Sequence, residues 1–261
     1  MRAVRKIIGD ARQLARFSTG AVREALLEDA SNAEEMADIL DAAIKQRDNT
    51  KAKAAAAQLE PRIEALMGSM ENAAISALAS DFSDTSSALK QLSNAAYQPV
   101  TNPNRHQLFA TKAAQFVECS ARLAGLGRVA APQLGTDREI MESHKLATRL
   151  DEISPALVQA GRIVLQQPDN APAKEHFELL KEEWTQAVDK LTATLDGAAD
   201  AGKLVRALES QMTDDQKEIH NNVSKHNVAG VLPAAGNMAR RAHRVLMVAK
   251  REAENSEGFF F

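Results

Sequence analysis

Along almost the whole chain, apolar residues return every three or four positions, and nowhere do Val, Ile, Thr and Tyr alternate over the length of a strand. A return of 3.6 places side chains on one face of a helix, whereas a strand needs a return of two. The pattern is strongest at Phe177, Leu180, Trp184, Ala187 or Val188, Leu191 and Leu195. Burying such side chains contributes about 1.5–3 kcal/mol each before conformational entropy is set against it. Elsewhere the stripes are rich in alanine, and aromatic residues make up only 4% of the chain. Small side chains suit closely packed helices better than a sheet sandwich, so the chain is predicted to be all-α.

Turn and cap signals divide the periodic segments into about eight helices. The first spans Met1 to Phe17, with Val4, Ile7 or Ile8, Ala11 and Leu14 inward, and ends at Ser18-Thr19-Gly20. A second runs from Ala21 to Arg47. From Lys51 to Ala96 no glycine or proline turn interrupts the stripe, so one long helix is expected, distorted at Pro61 and near Asp81 to Thr85. At 1.5 Å per residue it would reach roughly 70 Å, about twice an ordinary bundle, and so could be shared by two. Asn104 with Gln107 and Thr136 with Glu139 are spaced as capping boxes; Gly125, Gly127, Pro132 and Gly135 are read as ending the helix between them. Asn227 to Pro233 is read as the connector to a last helix over Asn237 to Glu257, with Met238, Ala242, Val245 and Ala249 as its seam. Short connectors favour antiparallel neighbours, giving consecutive four-helix-type bundles that share a long helix.

Chemistry-bearing patterns are sparse. None of the six histidines has Asp or Glu three residues before it, so the Glu-x-x-His spacing of helical metal sites is missing. No nucleophile elbow or glycine-rich phosphate loop occurs, Cys119 and Trp184 read as packing residues, and no cofactor or enzymatic activity is expected. A net charge of -3 gives no global bias toward nucleic acid, and no apolar run approaches the ~18 residues of a membrane span. The single cysteine fits a reducing compartment. The last helix carries Arg240, Arg241, Arg244, Lys250 and Arg251. These cations read either as a solvated face paired with nearby acids or as a docking surface for an acidic protein segment or another domain.

Four ordered blocks are more specific than periodicity. Asp81 to Leu92 (DFSDTSSALKQL), Pro103 to Arg105 (PNR), His176 to Thr192 (HFELLKEEWTQAVDKLT) and Ala239 to Glu257 (ARRAHRVLMVAKREAENSE) resemble, in order, segments of the vinculin and alpha-catenin family. The resemblance covers nearly the whole chain. It implies a non-enzymatic cytoplasmic adaptor that connects cell-adhesion complexes to the actin cytoskeleton. Residues up to about Asp200 look like most of the third head repeat of that family, and Ala201 onward like the first two helices of the following bundle. The expected units are a partial bundle over 1–75, a complete four-helix bundle over 76–200, a helix pair over 201–257 and a tail over 258–261. Both ends should then expose apolar stripes.

The same resemblance implies partners among adhesion-complex proteins and other domains of the same protein. It carries over no actin-binding or talin-binding residue, because the corresponding regions have no counterpart here. As an alternative, the alanine-rich seam of Lys51 to Ala77 could accept an amphipathic partner helix, as a cadherin-complex protein of the alpha-catenin kind would.

Overall fold

The structure is a computed structural model that describes residues 1–257; the tail expected over 258–261 lies outside them. Every regular element among the described residues is helical. In chain order they are α1 (Arg2–Leu14), α2 (Gly20–Lys45), α3 (Asn49–Asp81), α4 (Ser87–Ala96), α5 (Arg105–Leu134), α6 (Asp137–Gln166), α7 (Ala171–Ala198), α8 (Ala201–Ser224) and α9 (Val228–Glu257).

The count exceeds the expected eight because Lys51 to Ala96 is two helices. Phe82, Ser83 and Asp84 break it: Asp84 Oδ1 accepts the backbone N–H of Ser87 at 3.0 Å, which caps α4, and the Ser83 hydroxyl turns back on the carbonyl of Ala79. The break drives Phe82 into the core, where it is 4% exposed. No glycine marks two other turns, since Arg47 (φ 57°) and His226 (φ 53°) supply the left-handed residue. At the second, Asn227 N–H reaches Asn222 O at 2.9 Å, so α9 starts at Val228 and takes Pro233 inside it.

Glycine was a misleading stop signal in α5, which continues through Gly125, Gly127 and Pro132. A Cβ on Gly127 would lie 3.1 Å from both terminal carbons of Leu191, so this glycine serves the close approach of α5 to α7. The Thr136 and Glu139 capping box is present, with Thr136 N–H donating to Glu139 Oε2 at 2.7 Å, whereas Asn104 makes no side-chain cap.

One apolar core runs without interruption from Ile8 in α1 to Leu195 in α7. Its centre is Trp184, packed on Phe116 with ring centroids 5.1 Å apart. The indole N–H donates to Ser120 Oγ at 3.0 Å, Ser120 and Ser154 hydroxyls meet at 2.6 Å, and Ser154 donates to Leu150 O. The buried polar atoms at this point are thereby satisfied. A second, smaller core joins Ile75 and Ala79 of α3 to Leu204 and Leu208 of α8 and Val248 of α9. Ala73, Ala74, Ala77 and Leu78 belong to the large core, so α3 is buried on both sides near its C-terminus.

Candidate functional site

The α9 helix lies across the place where α3, α7 and α8 meet, and its rotation decides what its cations can do. Ala234, Arg244 and Val248 are buried and Arg241 is nearly so, while Ala242 and Ala249 of the expected seam face solvent. The inward stripe therefore runs through the arginines. Periodicity alone places it one step around the helix, because a hydrophobic period treats every guanidinium group as surface.

Arg244 is the centre of the arrangement. Its Nε donates to Asp196 Oδ2 at 3.1 Å and its Nη2 to Asp196 Oδ1, a two-pronged pair whose side chains are 8% and 10% exposed. Its Nη1 donates to the carbonyl of Leu78, in the last turn of α3. One side chain thus ties α9 to α7 and α3 together. Arg251 Nη2 donates to the backbone carbonyl of Asp196, satisfying an acceptor in the last turn of α7. Arg241 pairs with Asp215 of α8, with side chains 12% and 6% exposed. Arg240 reaches Asp84 Oδ2, between α3 and α4, at 2.9 Å. Lys250 alone of the five stands well into solvent, 3.9 Å from Glu254.

The exposed docking face expected at these positions thus differs from what the fold contains. Four of the five cations bind α9 to the rest of this chain, because acids and carbonyls from distant segments converge on them. Two further contacts hold α8 to α3: Lys203 Nζ to Glu71 Oε2 at 2.6 Å, and Gln211 Nε2 to Ser76 O at 3.1 Å.

Sequence reasoning missed Asp196 and Asp215. A signal existed, since Asp215 falls between Leu208 and Ile219 on the inward stripe of α8, where a carboxylate needs a buried cation. Asp196 sits at the C-terminal end of α7, where the helix dipole disfavours a negative charge, and the guanidinium offsets both costs.

Beside the arginines, α7 and α9 enclose a groove of about 730 Å³ whose walls include Phe82, Asp189, Ala193, His243, Met247 and Val248. Asp189 stands on the α7 side, and the protein packed beside it raises its carboxyl above the usual value. At the far end of the molecule, a smaller crevice of about 360 Å³ between α2 and α3 is lined by Met36, Ile39, Ala43 and Ala55. Cys119 is half-buried on α5 and burial raises its thiol, which weakens it as a nucleophile. Burial also raises the Asp81 carboxyl, against the opposing pull of Arg122, whose Nε lies 2.8 Å away. Among the described residues no three His, Cys, Asp or Glu side chains converge as metal ligands, and no helix is long and apolar enough to cross a membrane.

Comparison with known proteins gives one consistent match. The model of the vinculin family matches residues 2–261. Vinculin of Gallus gallus is 33% identical over 258 residues, covering 98% of this chain and 23% of that protein. Vinculin of the sponge Oscarella pearsei is 32% identical over 267 residues, covering 98% and 31%. The chain therefore spans less than a third of these relatives. A solved vinculin homolog from a sponge, described with vertebrate-like cell adhesions, aligns with a TM-score of 0.81 at 30% identity, over 97% of this chain and 32% of the other. The HMP-1 M domain shares the fold, with a TM-score of 0.73 at 21% identity over 96% and 69%. The chain belongs to the vinculin family.

Proposed function

We propose that this segment is a non-enzymatic scaffold within a cytoplasmic adaptor that connects cell-adhesion complexes to the actin cytoskeleton. The match to vinculins over nearly its full length carries the reading. The physical arrangement agrees with a scaffold. The C-terminal part of a long helix is buried between two cores, and a helix pair is fixed to the body by the buried Arg244–Asp196 ion pair and the bond from Arg244 to the Leu78 carbonyl. Its partners are adhesion-complex proteins and other domains of the same protein, and attachment to actin is made through regions outside this segment.

The test is proximity labelling in spreading cells. The segment, fused to a biotin ligase, should enrich adhesion-plaque proteins over a helical bundle of equal size. Equal labelling by both would remove the adhesion assignment.

A second reading, that the segment accepts a partner helix at the far end of α2 and α3, is favoured by one observation. The crevice there is lined by Ile39, which is 46% exposed. Titrating candidate amphipathic helices while following hydrogen exchange over 36–58 tests it, and unchanged exchange would remove it.

A further inference from the structure

We propose that the groove between α7 and α9 receives an amphipathic helix of a partner protein, with an apolar stripe that fills the groove, a basic flank along α7 and an acidic flank along α9. The inference is independent of where in the cell the protein works, and it concerns a different part of the molecule from the α2–α3 crevice.

The shape comes first. The α9 wall is made by Ala239, His243, Met247, Lys250 and Glu254, which return at helical spacing over roughly 22 Å at 1.5 Å per residue. On the α7 wall Asp189, Thr192, Ala193 and Asp196 face it, and Phe82 contributes from the α3–α4 connection. Both walls are helices whose backbone groups are already paired, so there is no free sheet edge for an extended peptide. An open trough of this length with a small residue on each side, Ala193 and Ala239, fits the ridge of a third helix. Met247 is 52% exposed above Val248, and its unbranched thioether chain can adapt to an incoming apolar side chain.

Charge then selects the occupant. The fold leaves the two rims with opposite signs still available. On the α7 rim Asp189 lines the groove at an exposed position and has no ion-pair partner among the described residues. A basic side chain placed beside Asp189 would pair with it at the groove edge. On the α9 rim Lys250 is 67% exposed and only loosely paired with Glu254, and the buried Nε–H of Arg240 has no acceptor. Asp196 and Arg244 at the groove floor are consumed by each other and do not set the preference.

The experiment uses the full 261-residue chain and three fluorescein-labelled synthetic helices with the same leucine stripe. One carries Lys on one flank and Glu on the other, one Glu on both flanks, and one Lys on both. Exchanging the two flanks would be no control, because a helix can lie in the groove in either direction. The mixed helix should bind tightest, by about threefold over each of the others, the scale of one exposed ion pair. Asp189→Lys should make the all-Glu helix the tightest binder, and Lys250→Glu the all-Lys helix. Ala193→Trp should weaken every helix at least about tenfold by filling the trough.

Hydrogen exchange on the complex should show new protection over 186–196 and 239–254 and none over 36–58. The rim variants, made at exposed positions, keep the test valid if Ala193→Trp does not fold. Three outcomes would each overturn the assignment: equal affinities for the three helices with no response to the rim variants, protection over 36–58 instead, or self-association of the chain in place of helix binding.

Discussion

Arg244 donates to a carboxylate 48 residues away and to a backbone carbonyl 166 residues away. Removing one partner of a buried pair leaves the other charge uncompensated, which costs about 3–5 kcal/mol, whereas replacing both by apolar groups is often near neutral. Arg244→Met should therefore destabilise the chain by about that amount in urea denaturation, and Arg244→Met with Asp196→Leu should restore most of it. A double variant as unstable as the single would remove the ion pair from the account. Tyr97, the one tyrosine, makes a second residue-scale case. Burial, reinforced by the hydroxyl's 2.9 Å bond to Glu178, pushes its pKa to about 12. The folded state thus holds the phenolic proton more tightly than the unfolded chain, whose tyrosine titrates near 10. Its contribution is complete below about pH 10 and fades as pH rises toward about 12. A phenolate absorbance titration of the folded protein should find a midpoint near 12 that Glu178→Gln lowers. Neither pairing was legible in the sequence, because nothing in an arginine or a tyrosine names an acid so far along the chain.

At the scale of elements, the apolar stripes of α1, α5, α6 and α7 were readable because their inward faces consist of apolar side chains alone or nearly so. The reading of α9 failed for the converse reason: its inward face contains Arg241 and Arg244, and a hydrophobic period cannot register a paired cation. The distortion expected near Asp81 to Thr85 is a full break between α3 and α4, because Ser83 and Asp84 end the helix through side-chain bonds with no Gly or Pro to mark it. Gly127 was the opposite error. It looked like a stop and is a packing device, its α-hydrogen face set against Leu191. Gly68, in the middle of α3, has nothing within 4 Å of a added Cβ. Gly68→Ala should therefore gain about 0.5–1 kcal/mol from helix propensity alone. Gly127→Ala gains the same propensity but crowds a fully buried leucine, and overpacking of about 1–3 kcal/mol should leave it net destabilised. Thermal unfolding of the two variants decides between propensity and packing, and a stabilised Gly127→Ala would refute the close-approach role.

For the whole molecule, class and order of elements followed from the sequence, and the family resemblance rested on blocks that periodicity could not supply. How the pieces are fastened did not follow. The large core holds α1 to α7 by apolar packing, while the α8–α9 pair, joined internally by Arg241 and Asp215, adds only a small apolar cluster and depends on Arg244, Arg251, Lys203 and Gln211 for its attachment. Apolar side chains at both extremities stay exposed, among them Ile44 at the end of α2 and Val223, Val228 and Leu232 at the turn between α8 and α9.

The proposed scaffold role needs the segment to act as one body, and so needs that attachment to hold. Hydrogen exchange of the Arg244→Met variant beside the wild type tests this most directly. The account predicts faster exchange over 201–257, over the end of α3, 75–82, and over the last turn of α7, 195–198, with α5, α6 and the rest of α7 unchanged. Uniform loss of protection across the chain, or unchanged exchange over 75–82, would contradict it.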